Sequence, residues 1–180
     1  MGLRSSTSGV LAASAKDEAT IRDATVFVAL VEPVLPAAYR LAVAMLRSDS
    51  DAEDAVQEAM FIAWRHFSRF RSGADMKPWL LAIVANECKR QRRNRWWSVI
   101  RSAEVDQGTA PDPDDHYADL RRALYRLPHD QRLALVLRYY LDLSFDEVAA
   151  VLKTSSKAAK SRTYRALERL RLSPEVSPNE

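Results

Sequence analysis

An all-α fold in two small helical domains is what this chain predicts, on three observations. Apolar residues recur at spacings of three and four along most of the sequence, the period of a helix with one buried stripe. No segment alternates with period two, and no repeat of solenoid length is present. Between the helical stretches, Glu104 to Asp119 gathers Glu104, Asp106, Asp112, Asp114, Asp115 and Asp119 with Gly108, Pro111 and Pro113, the composition of a flexible acidic linker. The scheme is an N-terminal tail over residues 1–24, a first domain over 25–98, a linker over 99–115, a second domain over 116–172 and a tail over 173–180.

Met1 to Ala24 mixes Ser, Thr, Gly and Ala with charges and lacks a continuous apolar core, so it reads as a flexible tail and not a signal peptide. Val26, Phe27, Leu30, Val31, Leu35, Ala38, Tyr39, Ala42, Val43 and Leu46 then form a helical stripe that Pro33 and Pro36 bend or break. Glu32, Pro33, Pro36 and Arg40 interrupt this run well below the roughly 18 uncharged residues of a membrane span, so no membrane insertion is expected. Ser50 with Glu53 predicts a capping box, and Ala52, Ala55, Val56, Ala59, Ile62, Ala63 and Phe67 a buried stripe in a helix running to about Ser68. Arg69 to Lys77 reads as a loop. Pro78 suits the first turn of a third helix, where its missing N–H is harmless, and Leu80, Ile83, Val84 and Glu87 or Cys88 continue the stripe until it fades beyond Trp97. After the linker, Tyr117, Leu120, Leu124 and Leu127, then Leu133, Val136, Leu137 and Tyr140, mark further helices.

The last two helical patterns, within Leu127 to Arg171, are joined by a tight polar turn, Lys153 to Ser156. Ser144 and Glu147 form a capping box ahead of Phe145, Val148, Ala149 and Leu152. The second helix, which Ser155 can cap, buries Ala159, Thr163, Ala166 and Leu170 and leaves Lys157, Lys160, Ser161, Tyr164 and Arg165 on another stripe. From Lys153 to Arg171 seven bases face Glu168 alone, an imbalance that alternating charge pairs would not produce. This is the pattern of a helix-turn-helix presenting a basic helix to DNA.

Length and composition narrow the chemistry. With 180 residues, 47% of them hydrophobic, the chain can bury one or two small cores. Net charge is only +3 but segregated: Asp49 to Glu58 carries five acids and no base, Arg69 to Arg101 nine bases and two acids. Faces of opposite sign suit different partners. The lone cysteine, Cys88, excludes an intrachain disulfide framework and fits a reducing cytoplasm. His66, His116 and His129 are scattered without companions at metal-ligand spacing, and no glycine-rich phosphate loop or nucleophile motif is present, so no cofactor, metal site or catalytic activity is expected.

Three ordered motifs carry a family resemblance. The chain from about Thr25 to Arg171 resembles bacterial sigma factors of the extracytoplasmic-function group. DAEDAVQEAMFIAW (Asp51 to Trp64) resembles the polymerase-binding segment of sigma domain 2. FRSGADMKPWLLAIVANECKRQRR (Phe70 to Arg93) resembles its promoter-opening segment, and Leu127 to Arg171 resembles sigma domain 4. The resemblance implies a promoter-specificity subunit whose partners are the RNA polymerase core, through its beta and beta-prime subunits, and promoter DNA, with an anti-sigma factor as a further candidate. Helical spacing independently gathers Asp54, Gln57, Glu58 and Phe61 on the outward side of the second helix, a mixture of acid, amide and aromatic that suits a protein interface. The resemblance places Asn86, Lys89, Arg90 and Arg93 at the minus-ten element, with Phe70 and Ser72 in a pocket for a flipped base. Phe67 and Trp79 are expected in packing, while Trp96 and Trp97 suit DNA or polymerase equally. Lys157, Lys160, Ser161 and Arg165 fall at the family's minus-thirty-five readers, with Arg162 and Arg169 as phosphate or packing positions. Where relatives usually have a glycine, a turn proline and a Gly-Thr pair, this chain has Lys153, Ser155 and Lys157-Ala158, so neither turn geometry nor base preference carries over. The rival reading is a stand-alone helix-turn-helix regulator with a helical sensing or dimerisation domain.

Overall fold

The structure, a computed structural model, describes residues 23–70, 73–102 and 118–173, with backbone alone over 95–102. Helix α1, residues 23–31, passes through a 3-10 turn, Glu32–Val34, into α2, Leu35–Leu46. Each proline sits at the start of a segment, where no N–H is needed, so the pair tightens one turn without parting the helices. By length and composition Asp23–Leu46 would suffice to cross a bilayer, but its apolar surface has a partner: Phe27, Val31, Val34, Ala38, Leu41, Ala42 and Met45 are buried in the fold. Val26, Leu30 and Tyr39, expected on the buried stripe, are exposed, because the helix is covered on one side only.

Arg47 ends α2 in the left-handed region at φ 66°, and the extended Ser48 that follows must open the next helix. The predicted Ser50 cap is therefore displaced by two residues: Ser48 Oγ accepts the Asp51 N–H at 3.2 Å, and Ser50 lies inside the first turn of α3, Asp49–His66. A 3-10 turn, Phe67–Arg69, follows. The Asp75 carboxylate accepts the Lys77 N–H at 2.9 Å and starts α4, Met76–Ser102, with Pro78 in its first turn. The helix continues past Trp97, where the apolar period fades. Beyond it lie α5, Ala118–Arg126, and α6, His129–Leu135, which widens into a π turn, Val136–Tyr140, before α7, Phe145–Leu152, and α8, Ser156–Arg171. Among the described residues there is no strand.

Small residues let α2, α3 and α4 approach closely: Ala38, Ala42, Ala52, Ala55, Ala59 and Ala63 are all fully buried. At one end Phe27 makes edge contacts with Trp64 at 5.2 Å and Phe67 at 5.1 Å, and Phe70 lies 5.0 Å from Trp79. The packing roles expected for Phe67 and Trp79 are what the structure shows, and Phe70 joins them. At the other end the main core does not stop at the first domain. Leu41, Ala55, Leu81, Val84, Ala85 and Cys88 belong to the same buried cluster as Leu133, Leu137, Leu141, Leu143, Val148 and Val151. Helix α7 packs directly on α4, which is therefore buried on two sides, and Glu87 and Cys88 are both inside.

Candidate nucleic-acid and polymerase interfaces

The helix-turn-helix is built by local chemistry. Ser144 Oγ accepts the Glu147 N–H at 3.2 Å while the Glu147 carboxylate takes the Ser144 N–H at 2.7 Å, and these hydrogen bonds hold the Glu147 carboxyl below its usual range. Lys153 closes α7 in the left-handed region at φ 50°, and Ser155 Oγ then accepts the Ala158 N–H at 3.2 Å to open α8. Ala159, Thr163 and Ala166 anchor α8 to the core, with the Thr163 hydroxyl returned to the Ala159 carbonyl at 2.9 Å. Lys157, Lys160, Ser161 and Arg165 are exposed on the opposite side, and Arg162 is half-buried. The Lys160 ammonium lies 5.9 Å from the ring of Tyr164, itself half exposed, so cation and aromatic form one surface. Arg169, itself exposed, donates to Gln131 at 3.2 Å, a contact between α8 and α6.

On α4, Asn86, Lys89, Arg90 and Arg93 are exposed and recur along one stripe. Arg90 is not a free cation: its Nε lies 2.6 Å from the buried Glu87 carboxylate, which fixes the guanidinium against the helix. Gly73, in the preceding loop, has φ 84°, a conformation that glycine alone adopts without strain. Ser72, the side chains of Trp96 and Trp97, and His116 and Tyr117 lie outside the described residues. On α3, Asp54, Gln57, Glu58 and Phe61 all face solvent; Phe61 is 56% exposed, with the Arg65 guanidinium 5.7 Å from its ring. An aromatic this open gains nothing from the chain's own core.

A further constellation, absent from the sequence reading, occupies the seam between the two helical units. Arg132, 2% exposed, donates to the Met45 carbonyl at 3.3 Å and lies 4.7 Å from the Tyr125 ring; the Tyr125 hydroxyl reaches the Val43 carbonyl at 3.4 Å. Both thus engage the carbonyl end of α2, the negative pole of that helix. Burial, aided by Arg92, pushes Arg132 down to about 10, so it stays cationic at neutral pH with its Nε unpartnered. Asp130 lies 3.9 Å from Lys89 on α4 and 3.9 Å from Arg162 on α8. Burial alone would raise its carboxyl, but the hydrogen bond from His129 and the cations Lys89 and Arg162 hold it below its usual value. His129 is lowered, chiefly by burial, and its Nε2 is buried without a partner. Sequence offered no signal for Arg132, which follows His129, Asp130 and Gln131 and so reads as one more residue of a polar first turn. Cys88, its thiol pushed up to about 12 by burial, is chemically quiet.

A helical unit with an acidic-aromatic face, joined to a helix-turn-helix with a basic face, has the outline of a DNA-binding transcription protein, and comparison with known proteins gives the class. Sigma-70 region 2 matches residues 30–98 and Sigma-70, region 4 matches residues 117–170. The RNA polymerase sigma factor CarQ of Myxococcus xanthus is 33% identical over 71% of this chain and 76% of its own length. The ECF RNA polymerase sigma factor SigM of Mycobacterium tuberculosis is 34% identical over 73% of this chain and 68% of its own. Among solved structures, the sigma factor RpoE of Bartonella quintana, crystallised with the anti-sigma factor NepR, superposes with a TM-score of 0.68 at 31% identity, covering 82% of this chain and 96% of that one. The chain belongs to the extracytoplasmic-function group of RNA polymerase sigma factors.

Proposed function

We propose that three exposed faces divide the work of this sigma factor. The outer side of α3, through Asp54, Gln57, Glu58 and Phe61, docks on core polymerase. The stripe of α4, through Asn86, Lys89 and Arg93, meets the minus-ten element, with Arg90 held by Glu87 as a positioning residue and the loop of Ser72 and Gly73 beside the unpaired base. The face of α8, through Lys157, Lys160, Ser161 and Arg165, reads the minus-thirty-five element, and Arg162 reaches phosphate once it leaves Asp130. The carrying observation is that the residues named on α3, α4 and α8, apart from half-buried Arg162, are exposed on helices whose other sides are buried. Phe70 packs in the aromatic cluster and supports the loop more than it offers a stacking face. The chain itself catalyses nothing in this reading and acts in the cytoplasm, where an anti-sigma protein is a natural further partner. A stand-alone regulator has no observation in its favour, since both sigma regions occur in order.

Run-off transcription with core polymerase on genomic DNA, with and without this protein, tests the proposal. Start sites that appear only with the chain, and weaken with Asn86→Ala, are expected; the same starts without the chain would refute it.

A further inference from the structure

The amphipathic pattern of α4 changes sides near its end. The buried register runs through Leu80, Leu81, Val84, Ala85 and Cys88, while Asn86, Lys89, Arg90 and Arg93 recur on the opposite, exposed stripe. Among the described side chains of α4, Cys88 is the last buried one. Arg92, Arg93 and Asn94, spread over more than half of the helix circumference at about 100° per residue, are all exposed. Beyond them the register of Cys88 and Gln91 is continued by Arg95 and Ser98. Trp97 and Ile100 instead fall four and seven residues after Arg93, on the register of the exposed stripe, with Arg101 beside them.

A helix that packs inward keeps its large apolar residues on the inner register, and here the last of them stand on the outer one. From Lys89 to Ser102 the helix carries six cations, Lys89, Arg90, Arg92, Arg93, Arg95 and Arg101, and no acid. A run this one-sided fits a polyanion, and aromatic residues among arginines are what nucleic acid accepts on its sugars and base faces. The direction of α4 then selects which part of the promoter it meets. The loop of Gly73, beside the unpaired base, precedes the N-terminus of α4, so the C-terminal turns lie on the side of the duplex that stays paired. Trp97 stands eleven residues beyond Asn86, about 16 Å at 1.5 Å per residue and roughly five base pairs at 3.4 Å per pair.

We propose, resting on the minus-ten assignment of α4 above, that the last turns of this helix make a further promoter contact: Trp97, between Arg93 and Arg101 on one stripe, grips the duplex just upstream of the minus-ten element. Arg93 and Arg101 take phosphates, and Trp97 with Ile100 packs on sugar edges without reading bases. The grip anchors the paired side of the promoter while strands separate on the other side of Asn86, and it adds affinity whatever the sequence at those base pairs.

Hydroxyl-radical footprinting and titration of the holoenzyme, on a promoter taken from the mapped starts, test this. The wild-type holoenzyme is expected to protect about five base pairs upstream of the minus-ten element. Trp97→Ala should remove that protection and weaken binding about tenfold, the low end for losing an aromatic contact to nucleic acid, and Trp97→Phe should restore most of both. Arg101→Ala should reduce the salt slope by about one, and it carries the test should Trp97→Ala prove less helical by circular dichroism. Ser98→Ala, on the other register, should leave the footprint as it is. The proposal is overturned by a wild-type footprint that ends at the minus-ten element, or by equal affinity and protection with Trp97→Ala. Weaker binding of that variant to core polymerase without DNA overturns it too, since Trp97 then serves the polymerase. So does sedimentation with phosphatidylglycerol vesicles that needs Trp97 while the footprint does not, which assigns the segment to a membrane surface. Failure of the wild-type holoenzyme to protect the minus-ten element itself, or indifference of that protection to Asn86→Ala, refutes the underlying assignment of α4 instead, and is read at different base pairs.

Discussion

Lys153 holds a backbone conformation, φ 50° and ψ 51°, in which a Cβ crowds the following carbonyl. Lys153→Gly should relieve about 1–2 kcal/mol of that cost while adding about 0.5–1 kcal/mol of unfolded-state entropy. The expected outcome is a rise of a few degrees in Tm by calorimetry, and a fall would mean that the lysine side chain stabilises the turn in a way its backbone does not suggest. Capping residues were the most legible feature at this scale. Ser144, Glu147 and Ser155 perform as their spacing predicts, because a cap is a contact between neighbours in sequence. Ser50 was misplaced for an equally local reason, since both Ser48 and Ser50 precede an acidic first turn and only the backbone bend at Arg47 decides between them. For the polymerase face, Asp54→Ala with Phe61→Ala should weaken binding to core enzyme by about 2 kcal/mol or more, as truncated anchors do, with helical content unchanged. Titration against labelled core checks this; equal affinity removes α3 from the interface.

Single helices were legible wherever one face is wet. The stripes of α3 and α8 follow from period alone, and the residues assigned to their outer faces are exposed, apart from half-buried Arg162. Helix α4 was read less completely, with Leu81 and Ala85 missing from its expected stripe, because a helix buried on two sides has no single stripe to find. Its second partner, α7, lies some 60 residues further on, and nothing in a 3.6-residue period reports on such a neighbour. On α8, Lys160→Ala and Arg165→Ala distinguish how the basic face works. Loss of a paired base contact should cost about 1–3 kcal/mol and relax preference at one position, whereas loss of a phosphate contact should weaken all sequences alike and reduce the salt slope by about one. Holoenzyme binding to promoter variants across a salt series separates the two, and a variant that changes neither affinity, slope nor preference would take α8 off the DNA.

At the scale of the molecule, the sequence announced two domains and a linker but not the core they share, since charge segregation and linker composition describe how a chain divides and say nothing of how its parts meet. Arg132 and His129 are the residues where that meeting is most costly, and His129 makes it sensitive to pH. Burial is the main cause that lowers its pKa from 6.5, with Arg132 and Arg92 acting in the same direction and Asp130 against them. An unfolded chain takes up this proton near pH 6.5, while the folded one resists until the pH is lower. Between those limits the unfolded state binds more protons, so stability is constant above about 6.5 and falls with pH below it, at most by about 1.4 kcal/mol per pH unit for one group. The carboxyl of Asp130, held below 3.8, adds a loss only in a separate and much more acidic window. Urea denaturation from pH 7.5 to 5.5 should therefore show a falling midpoint in the wild-type chain. His129→Asn, which keeps a donor toward Asp130 but does not titrate, should flatten the decline; an equal slope in both proteins would mean that His129 meets solvent in solution and that the seam is more open than its packing suggests.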